Sequence, residues 1–232
     1  MTRIWLLRHA EAEGNLYRRI HGCTDSGLTE LGFRQMKPLG ERFAGVPLDA
    51  VSASDLRRAR QTAAALAEPK GLTVRILPEL REVDMGAWED QCWGYVARFE
   101  PEQYRALNKD PAKFTVPGCE PYEVSVKRIL GAIRRIAAEN PGGEAAAVAH
   151  GCIIRILLAQ LLGVPPRRSG ACPTGTIPAW RSWKRRRTGC SAFCATTTIP
   201  TCPRSFPPSP GRTGGRRRRP PTGGTSITCP WT

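Results

Sequence analysis

The sequence predicts an α/β fold of three layers, with a mostly parallel central sheet and helices on both of its faces. In the first 166 residues, short apolar runs alternate with segments of helical periodicity. Polar residues also follow several apolar runs at the points where strands would end. Because a helix separates each strand from the next, most strands are expected to lie parallel.

The individual elements follow from local patterns. Strands are predicted for four apolar runs: Arg3 to Leu7, Ala50-Val51, Val74 to Leu77 and Ala145 to Ala149. Helices are predicted where apolar residues recur every three or four positions: 28–44, 54–66, 126–137 and 153–162. Ser54 is predicted to be the N-cap of the second helix, because its hydroxyl can accept an unpaired backbone N–H. Residues 84–118, rich in Trp, Pro and Gly, are predicted to be an irregular lid or substrate loop.

The charge distribution divides the chain in two. Residues 1–166 carry 22 Lys and Arg against 20 Asp and Glu, whereas residues 167–232 carry 13 basic residues and no acid. We therefore predict a domain of residues 1–166 and a separate basic tail of residues 167–232. The apolar run Ile4 to Leu7 is too short for a signal peptide or a membrane span, so we expect a cytoplasmic protein.

Neither a metal nor another cofactor is expected. The four cysteines of the first domain have no spacing typical of a metal site or a disulfide framework: Cys23, Cys92, Cys119 and Cys152. We interpret them as buried or inert thiols, and Cys152 as part of a helix core.

Candidate functional residues lie where the predicted strands end. Arg8-His9 ends the first strand, His150-Gly151 ends the last one, and Arg58 lies early in the helix that follows Ala50-Val51. In open α/β sheets, ligands bind beyond the carboxyl ends of the strands. Two arginines, two histidines and a helix N-terminus at one such edge would form an anion site suited to phosphate.

Five segments resemble motifs of the histidine phosphatase superfamily and follow one another in the family's order. They are Leu7 to Asn15 (LRHAEAEGN), Asp25 to Gly32 (DSGLTELG), Ser54 to Ala63 (SDLRRARQTA), Leu80 to Glu89 (LREVDMGAWE) and Val148 to Gly151 (VAHG). Ala10 and Ala12 stand where many members have Gly and Thr. The resemblance implies the phosphoglycerate-mutase-like fold.

The resemblance also implies a mechanism through a phosphohistidine. His9 would be the nucleophile, attacking phosphorus with a neutral ring nitrogen. The positive charges of Arg8 and Arg58 should lower its pKa. Arg8, Arg58 and His150 would bind the equatorial phosphoryl oxygens, with Asn15 as a further neutral donor.

Glu82 would protonate the leaving oxygen and then help to activate water. Asp84 and Glu89 are rival carboxylates, and the spacing to Gly86 and Trp88 favours Glu82. The remaining predicted substrate-binding residues are His21, Gly22 and Gly151. For His21 and Gly22, a solvated loop is an equal alternative. Trp88 and Trp93 are interpreted as packing residues.

The predicted function is hydrolysis of small-molecule phosphate monoesters. The short segment after Glu82 and the stretch Pro117 to Glu120 favour the phosphatase branch of the family. Its nearest named activities are alpha-ribazole-phosphate phosphatase and broad-specificity phosphatases. Two alternatives are phosphoryl transfer of the phosphoglycerate-mutase type and an inactive phosphate-binding pseudoenzyme with an anion-binding tail. The expected partner is a small-molecule phosphate ester. No membrane partner is expected, nucleic acid could bind only through the tail of residues 167–232, and the oligomeric state is left open.

The tail allows three interpretations. Arg185 to Arg187 and Arg216 to Arg219 could form a basic arm for nucleic acid. A composition rich in Pro, Gly and Thr is also typical of a disordered extension. A frameshift near residue 167 fits better, because the tail lacks nine residue types, including Leu, Val, Asp and Glu. With such a frameshift, we expect the sheet to lack a late strand and the helix near Leu157 and Leu161 to be uncovered.

The frameshift hypothesis predicts a specific result at the DNA level. Codon degeneracy allows the bases of residues 171–184 to encode, in a shifted frame, a turn and strand like those expected after His150. Independent sequencing of the locus should reveal an inserted or missing base near codon 167. An unbroken frame in independent reads would contradict the hypothesis.

Overall fold

Four parallel strands form the centre of the sheet. The computed structural model describes residues 2–166, 179–184 and 197–198 of the chain. The parallel strands are β1 (Arg3–Arg8), β2 (Ala50–Ala53), β3 (Val74–Ile76) and β4 (Glu144–Ala149). The sheet has the order β3-β2-β4-β1, followed by two antiparallel strands, β5 (Ala179–Lys184) and β6 (Thr197–Thr198). The predicted α/β class and mostly parallel sheet are confirmed.

Helices cover both faces of this sheet. They are α1 (Glu13–Leu16), α2 (Glu30–Phe43), α3 (Arg57–Ala67), α4 (Trp93–Phe99), α5 (Pro101–Lys109), α6 (Tyr122–Glu139) and α7 (Gly151–Leu161). Short 3₁₀ turns lie at Glu68–Lys70, Pro78–Leu80, Gly86–Trp88 and Pro111–Lys113. Within the described residues, no helix is both long enough and apolar enough to cross a membrane.

Alternating side chains of the central strands supply two separate cores. On one face, Ile4 and Leu6 of β1 are buried in the same cluster as residues of α6 and α7. On the other face, Leu7 of β1 is buried with residues of α2 and α3. The alternation follows from the pleat of a strand, which points successive side chains to opposite faces. This arrangement confirms the three layers predicted from the sequence.

Ser54 does not cap the helix that follows β2. Helix α3 begins at Arg57 with Leu56 as its N-cap residue, and the Ser54 hydroxyl accepts the Leu56 N–H at 3.3 Å. The Arg57 N–H is bound instead by the Asp25 carboxylate, at 2.6 Å. The carboxylate of a residue distant in sequence therefore binds the first N–H of the helix. The prediction from local sequence placed the beginning of this helix too early.

The prediction of an irregular segment at residues 84–118 was wrong in part. Helices α4 and α5 lie within it, and they bury Val96 and Leu107 in the larger core. The helices are 7 and 9 residues long, too short for a clear periodic pattern. The ends of the segment meet at Gly86, which has φ +56°, and a Cβ there would lie 2.2 Å from the Pro117 carbonyl oxygen.

The expectation that the sheet lacks a late strand was also wrong. Strand β5 pairs antiparallel with β1, from Arg3 opposite Lys184 to Leu6 opposite Arg181. Ladder hydrogen bonds join backbone groups, and residues 179–184 contain neither Pro nor Gly to disrupt them. Leu157 is buried, with 1% of its surface exposed. The other predictions for the tail fall on residues outside those described.

Candidate active site

The candidate catalytic residues follow the carboxyl ends of neighbouring parallel strands. His9 directly follows β1 and His150 directly follows β4, and the His9 N–H donates to the Ala149 carbonyl at 3.0 Å. Their rings lie 5.0 Å apart between centroids. Arg58 reaches the same place from the first turn of α3, after β2. The predicted juxtaposition of these three side chains is therefore present.

Six of the predicted site residues line one cleft at this edge of the sheet: Arg8, His9, Asn15, His21, Arg58 and Glu82. His150 lies next to His9, is completely buried and is not among the residues that line the cleft. Gly22 and Gly151 do not line the cleft. A Cβ on Gly22 would lie 2.2 Å from a Glu89 oxygen, and one on Gly151 would lie 3.5 Å from the Arg8 guanidinium. Gly22 thus permits close packing of the loop against Glu89, whereas a Cβ at Gly151 would make only an ordinary van der Waals contact.

The tautomer of His9 is set by a backbone carbonyl. Its Nδ1 lies 2.7 Å from the Ala10 carbonyl oxygen, which can only accept a hydrogen bond. Nδ1 therefore carries the proton, and Nε2 has a free lone pair. Burial, followed by the charges of Arg8 and Arg58, holds the pKa of His9 well below its usual range. A neutral ring with an unprotonated Nε2 is a competent nucleophile.

His150 has the opposite tautomer. Its Nδ1 accepts a hydrogen bond from Arg58 Nε at 3.3 Å, which leaves the proton of the neutral ring on Nε2. Burial is the main cause that lowers the pKa of His150, and the neighbouring His9 and Arg58 add to it. Nε2 is buried without a hydrogen-bond partner among the described residues. An unpaired buried donor costs about 1–3 kcal/mol, and a bound anion next to His9 would remove that cost.

Arg58 is held by the loop between residues 21 and 24. Its terminal nitrogens donate to the carbonyls of Thr24 at 2.7 Å, Gly22 at 2.9 Å and His21 at 3.1 Å. With the bond to His150, four of its five N–H groups are used. Burial lowers the pKa of Arg58, although an arginine stays charged in any protein. One N–H group and the positive charge remain for a ligand.

Arg8 and Asn15 keep donors free in the cleft. Arg8 is exposed, and in the described part of the chain no hydrogen bond or ion pair engages its guanidinium. The Asn15 side-chain oxygen accepts the Ala12 N–H at 3.1 Å. This contact orients the Asn15 amide and leaves its NH₂ group as a donor.

The three rival carboxylates have different surroundings. Glu89 accepts the backbone N–H groups of Gly22, Cys23 and Thr24, at 2.9–3.2 Å, and so shapes the loop that holds Arg58. Asp84 accepts the Gly86 N–H at 2.9 Å. Only Glu82 lines the cleft. The catalytic role of Glu82 stays a prediction, and its side chain lines the same cleft as His9.

Glu82 also fixes the beginning of α7. Its two carboxylate oxygens accept the N–H groups of Cys152 and Ile153, each at 2.8 Å, and one also accepts the Val83 N–H at 3.0 Å. Each oxygen has two lone pairs, so Oε2 keeps one for a proton. This cap joins the candidate acid to the helix that follows His150, a contact that the sequence did not indicate.

In the part of the chain that the structure describes, one group of residues has ligand atoms close enough for a cation: Cys23, Asp84 and Glu89, within 4.8 Å of one another. Burial, with the charges of Asp84 and Glu89, raises the pKa of the Cys23 thiol to about 11. Oxygens of both carboxylates already accept backbone N–H groups. The group is therefore an acidic cluster that supports the loop.

Sequence reasoning missed the outer wall of the cleft. Ile20, Met85 and Trp93 line it together with Arg19. The fully buried Trp88 fits its interpretation as a packing residue, whereas Trp93 is half-buried and faces the cleft. Residues 18–20 and 90–93 are joined by backbone hydrogen bonds such as Trp93 N–H to the Arg18 carbonyl, at 3.0 Å. No local pattern predicts this pairing.

The lowered pKa values predict a dependence of stability on pH. An unfolded histidine titrates near 6.5, so below this pH the unfolded chain binds protons that the buried His9 and His150 resist. The free energy of unfolding should fall as pH drops from 7.5 to 5.5, by up to about 1.4 kcal/mol per pH unit for each histidine. Urea titrations at several pH values measure the free energy of unfolding of the protein and of His9→Asn. The free energy of the variant should fall less between pH 7.5 and 5.5. Equal declines would contradict the assignment.

The chain is similar in sequence to members of one known protein family. Residues 4–177 match the model of the histidine phosphatase superfamily (branch 1). A protein named probable phosphoglycerate mutase GpmB, from Cronobacter sakazakii, is 32% identical over 165 residues, which are 71% of this chain and 77% of that protein.

Solved structures give the same result. Bacillus stearothermophilus YhfR matches with a TM-score of 0.78 and 25% identity, over 84% of this chain and 96% of that one. The alpha-ribazole phosphatase from Shigella flexneri matches with a TM-score of 0.71 and 26% identity, over the same shares. The matched motifs include the strand ends that carry His9 and His150, and the chain belongs to the histidine phosphatase superfamily, branch 1.

Proposed function

We propose that this chain is a phosphatase that hydrolyses small-molecule phosphate monoesters through a phosphohistidine at His9. The observation that carries the proposal is the pair of complementary tautomers. His9 offers an unprotonated Nε2, and His150 offers a buried N–H on Nε2 that has no partner among the described residues. A phosphoryl group between them would receive a nucleophile and a hydrogen-bond donor at once.

In the first step, His9 Nε2 attacks phosphorus and the bond from phosphorus to the alcohol oxygen breaks. The protonated Glu82 carboxyl gives its proton to that oxygen, so the alcohol leaves neutral. Arg8, the remaining N–H of Arg58, His150 and Asn15 bind the equatorial oxygens, where the transition-state charge is spread. The arginines supply the positive charge for this step.

In the second step, water attacks the phosphohistidine. A water proton passes to the Glu82 carboxylate, the new oxygen–phosphorus bond forms, and the bond to His9 Nε2 breaks. Inorganic phosphate leaves, and both residues return to their starting states. Glu82 lies at the cleft with a free lone pair on Oε2, which supports both of its proton transfers.

A mutase is the second candidate, since a relative at 32% identity is named as a phosphoglycerate mutase. The same phosphohistidine would then pass its phosphoryl group to a second hydroxyl in place of water. The ratio of inorganic phosphate released to phosphoryl group transferred distinguishes the two. An inactive phosphate-binding protein would give neither product.

Location of the protein in the cytoplasm stays a prediction.

We expect the purified chain to hydrolyse p-nitrophenyl phosphate in the presence of EDTA. His9→Ala should lose about 10³-fold or more in kcat/KM, because no other described side chain presents a free ring nitrogen at this position. Glu82→Gln should lose about 10²- to 10⁴-fold. Glu79→Gln is the matched control, a nearby carboxylate outside the cleft, and should keep full activity.

The activity of the unmodified chain and of the three variants is measured as steady-state release of p-nitrophenol. A folded, soluble chain without turnover would contradict the proposed activity. Retention of activity in His9→Ala would contradict the assignment of the nucleophile.

A further inference from the structure

The cleft has a wall that the proposed chemistry does not use. The phosphate-binding groups line the cleft together with Ile20, Met85 and Trp93; Ile20 and Met85 are almost completely buried, whereas Trp93 keeps part of its surface exposed. A leaving alcohol bonded to the reacting phosphorus has to extend beyond the phosphate-binding groups, so the exposed part of Trp93 is the apolar surface that it would meet. Trp93 is half-buried, and its ring packs edge-on against Tyr104 with the centroids 6.3 Å apart. A supported indole that remains partly exposed offers surface for a flat apolar group.

The one cation on the outer wall, among the described residues, is already paired. Arg19 Nε and one terminal nitrogen both donate to the Asp90 carboxylate, the latter at 2.8 Å. His21 Nε2 lies 3.2 Å from the same carboxylate. The hydrogen bond from Arg19, and then that from His21, lower the pKa of Asp90 to about 2, so it is anionic at neutral pH. Asp90 thus removes Arg19 as a counter-ion for a substrate.

We propose that Trp93 and Asp90 determine substrate specificity: Trp93 binds a flat, apolar leaving group, and Asp90 neutralises Arg19 so that the cleft disfavours a leaving group with a second negative charge. The inference rests on the proposed function, because it takes the phosphoryl group to lie between His9 and His150. The proposed specificity narrows the substrate class to phosphate monoesters whose leaving alcohol is uncharged and carries an apolar or aromatic group.

Asp90 can be changed with little effect on the fold. It has φ +59°, a left-handed conformation that Asn adopts as readily as Asp. Its backbone hydrogen bond to the Ile20 carbonyl, at 2.7 Å, does not involve the side chain. The ion pair with Arg19 is exposed, and exposed pairs contribute little to stability. Asp90→Asn therefore changes mainly the charge of the outer wall.

Binding of non-hydrolysable phosphonates tests the proposal without any turnover. Isothermal titration with methylphosphonate, benzylphosphonate and 4-carboxybenzylphosphonate separates the effect of the ring from that of the added carboxylate. The unmodified protein should bind benzylphosphonate about 10-fold more tightly than either of the other two. Trp93→Ala should lose most of the preference for benzylphosphonate over methylphosphonate, and Trp93→Phe should keep it. Asp90→Asn should tighten binding of the carboxylated ligand about 3- to 10-fold more than it tightens binding of benzylphosphonate.

The outcomes separate this inference from the proposed function. A protein that binds phosphonates with these preferences but does not hydrolyse p-nitrophenyl phosphate would support the specificity and contradict the activity. An unchanged preference in Trp93→Ala, or an unchanged ratio between the benzyl ligands in Asp90→Asn, would overturn the inference even if hydrolysis is found. Absence of binding by all three phosphonates would overturn it as well.

Discussion

The active site depends on one buried guanidinium. Arg58 is 1% exposed, and it joins three segments that are distant in sequence: helix α3, the loop of residues 21–24, and His150 after β4. A buried charge is costly unless hydrogen bonds compensate for it, and here three loop carbonyls and one imidazole do so. Glu89 holds the N–H groups of the same loop, so the carbonyls are fixed before any ligand binds. The loop, the arginine and the second histidine therefore form one structural unit.

The chemistry of the two histidines follows from this unit. Arg58 donates to one nitrogen of His150 and so puts the proton on the other, whereas the Ala10 carbonyl puts the proton of His9 on Nδ1. Two like side chains, 5.0 Å apart, thus present a donor and a nucleophile. Their surroundings also keep both rings neutral. The two tautomers are set by a backbone carbonyl for His9 and by a buried guanidinium for His150. Neither tautomer therefore depends on a contact with solvent.

The sequence predicted those parts of the molecule that depend on local pattern. The apolar runs located the four parallel strands, and the motifs at their ends located His9, Arg58 and His150. Helices α4 and α5 were missed because they are too short for a clear period. The other failures involve contacts between distant segments: Asp25 replaces Ser54 as the group that binds the first N–H of α3, and Glu89 organises the 22–24 loop. The outer wall is a third case, since the pairing of residues 90–93 with residues 18–20 brings Trp93 to the cleft and Asp90 to Arg19. Such contacts depend on how the loops pack, which neither periodicity nor motif spacing encodes.

The proposed mechanism requires His9 to carry the phosphoryl group during turnover. Rapid quenching in alkaline denaturant, which preserves phosphohistidine, can be followed by mass spectrometry of the peptides that contain the three histidines. We expect a phosphoryl group on His9 that appears within the first turnover and disappears when the substrate is exhausted, with none on His21 or His150. Turnover without modification of His9, or with the group on another residue, would contradict it.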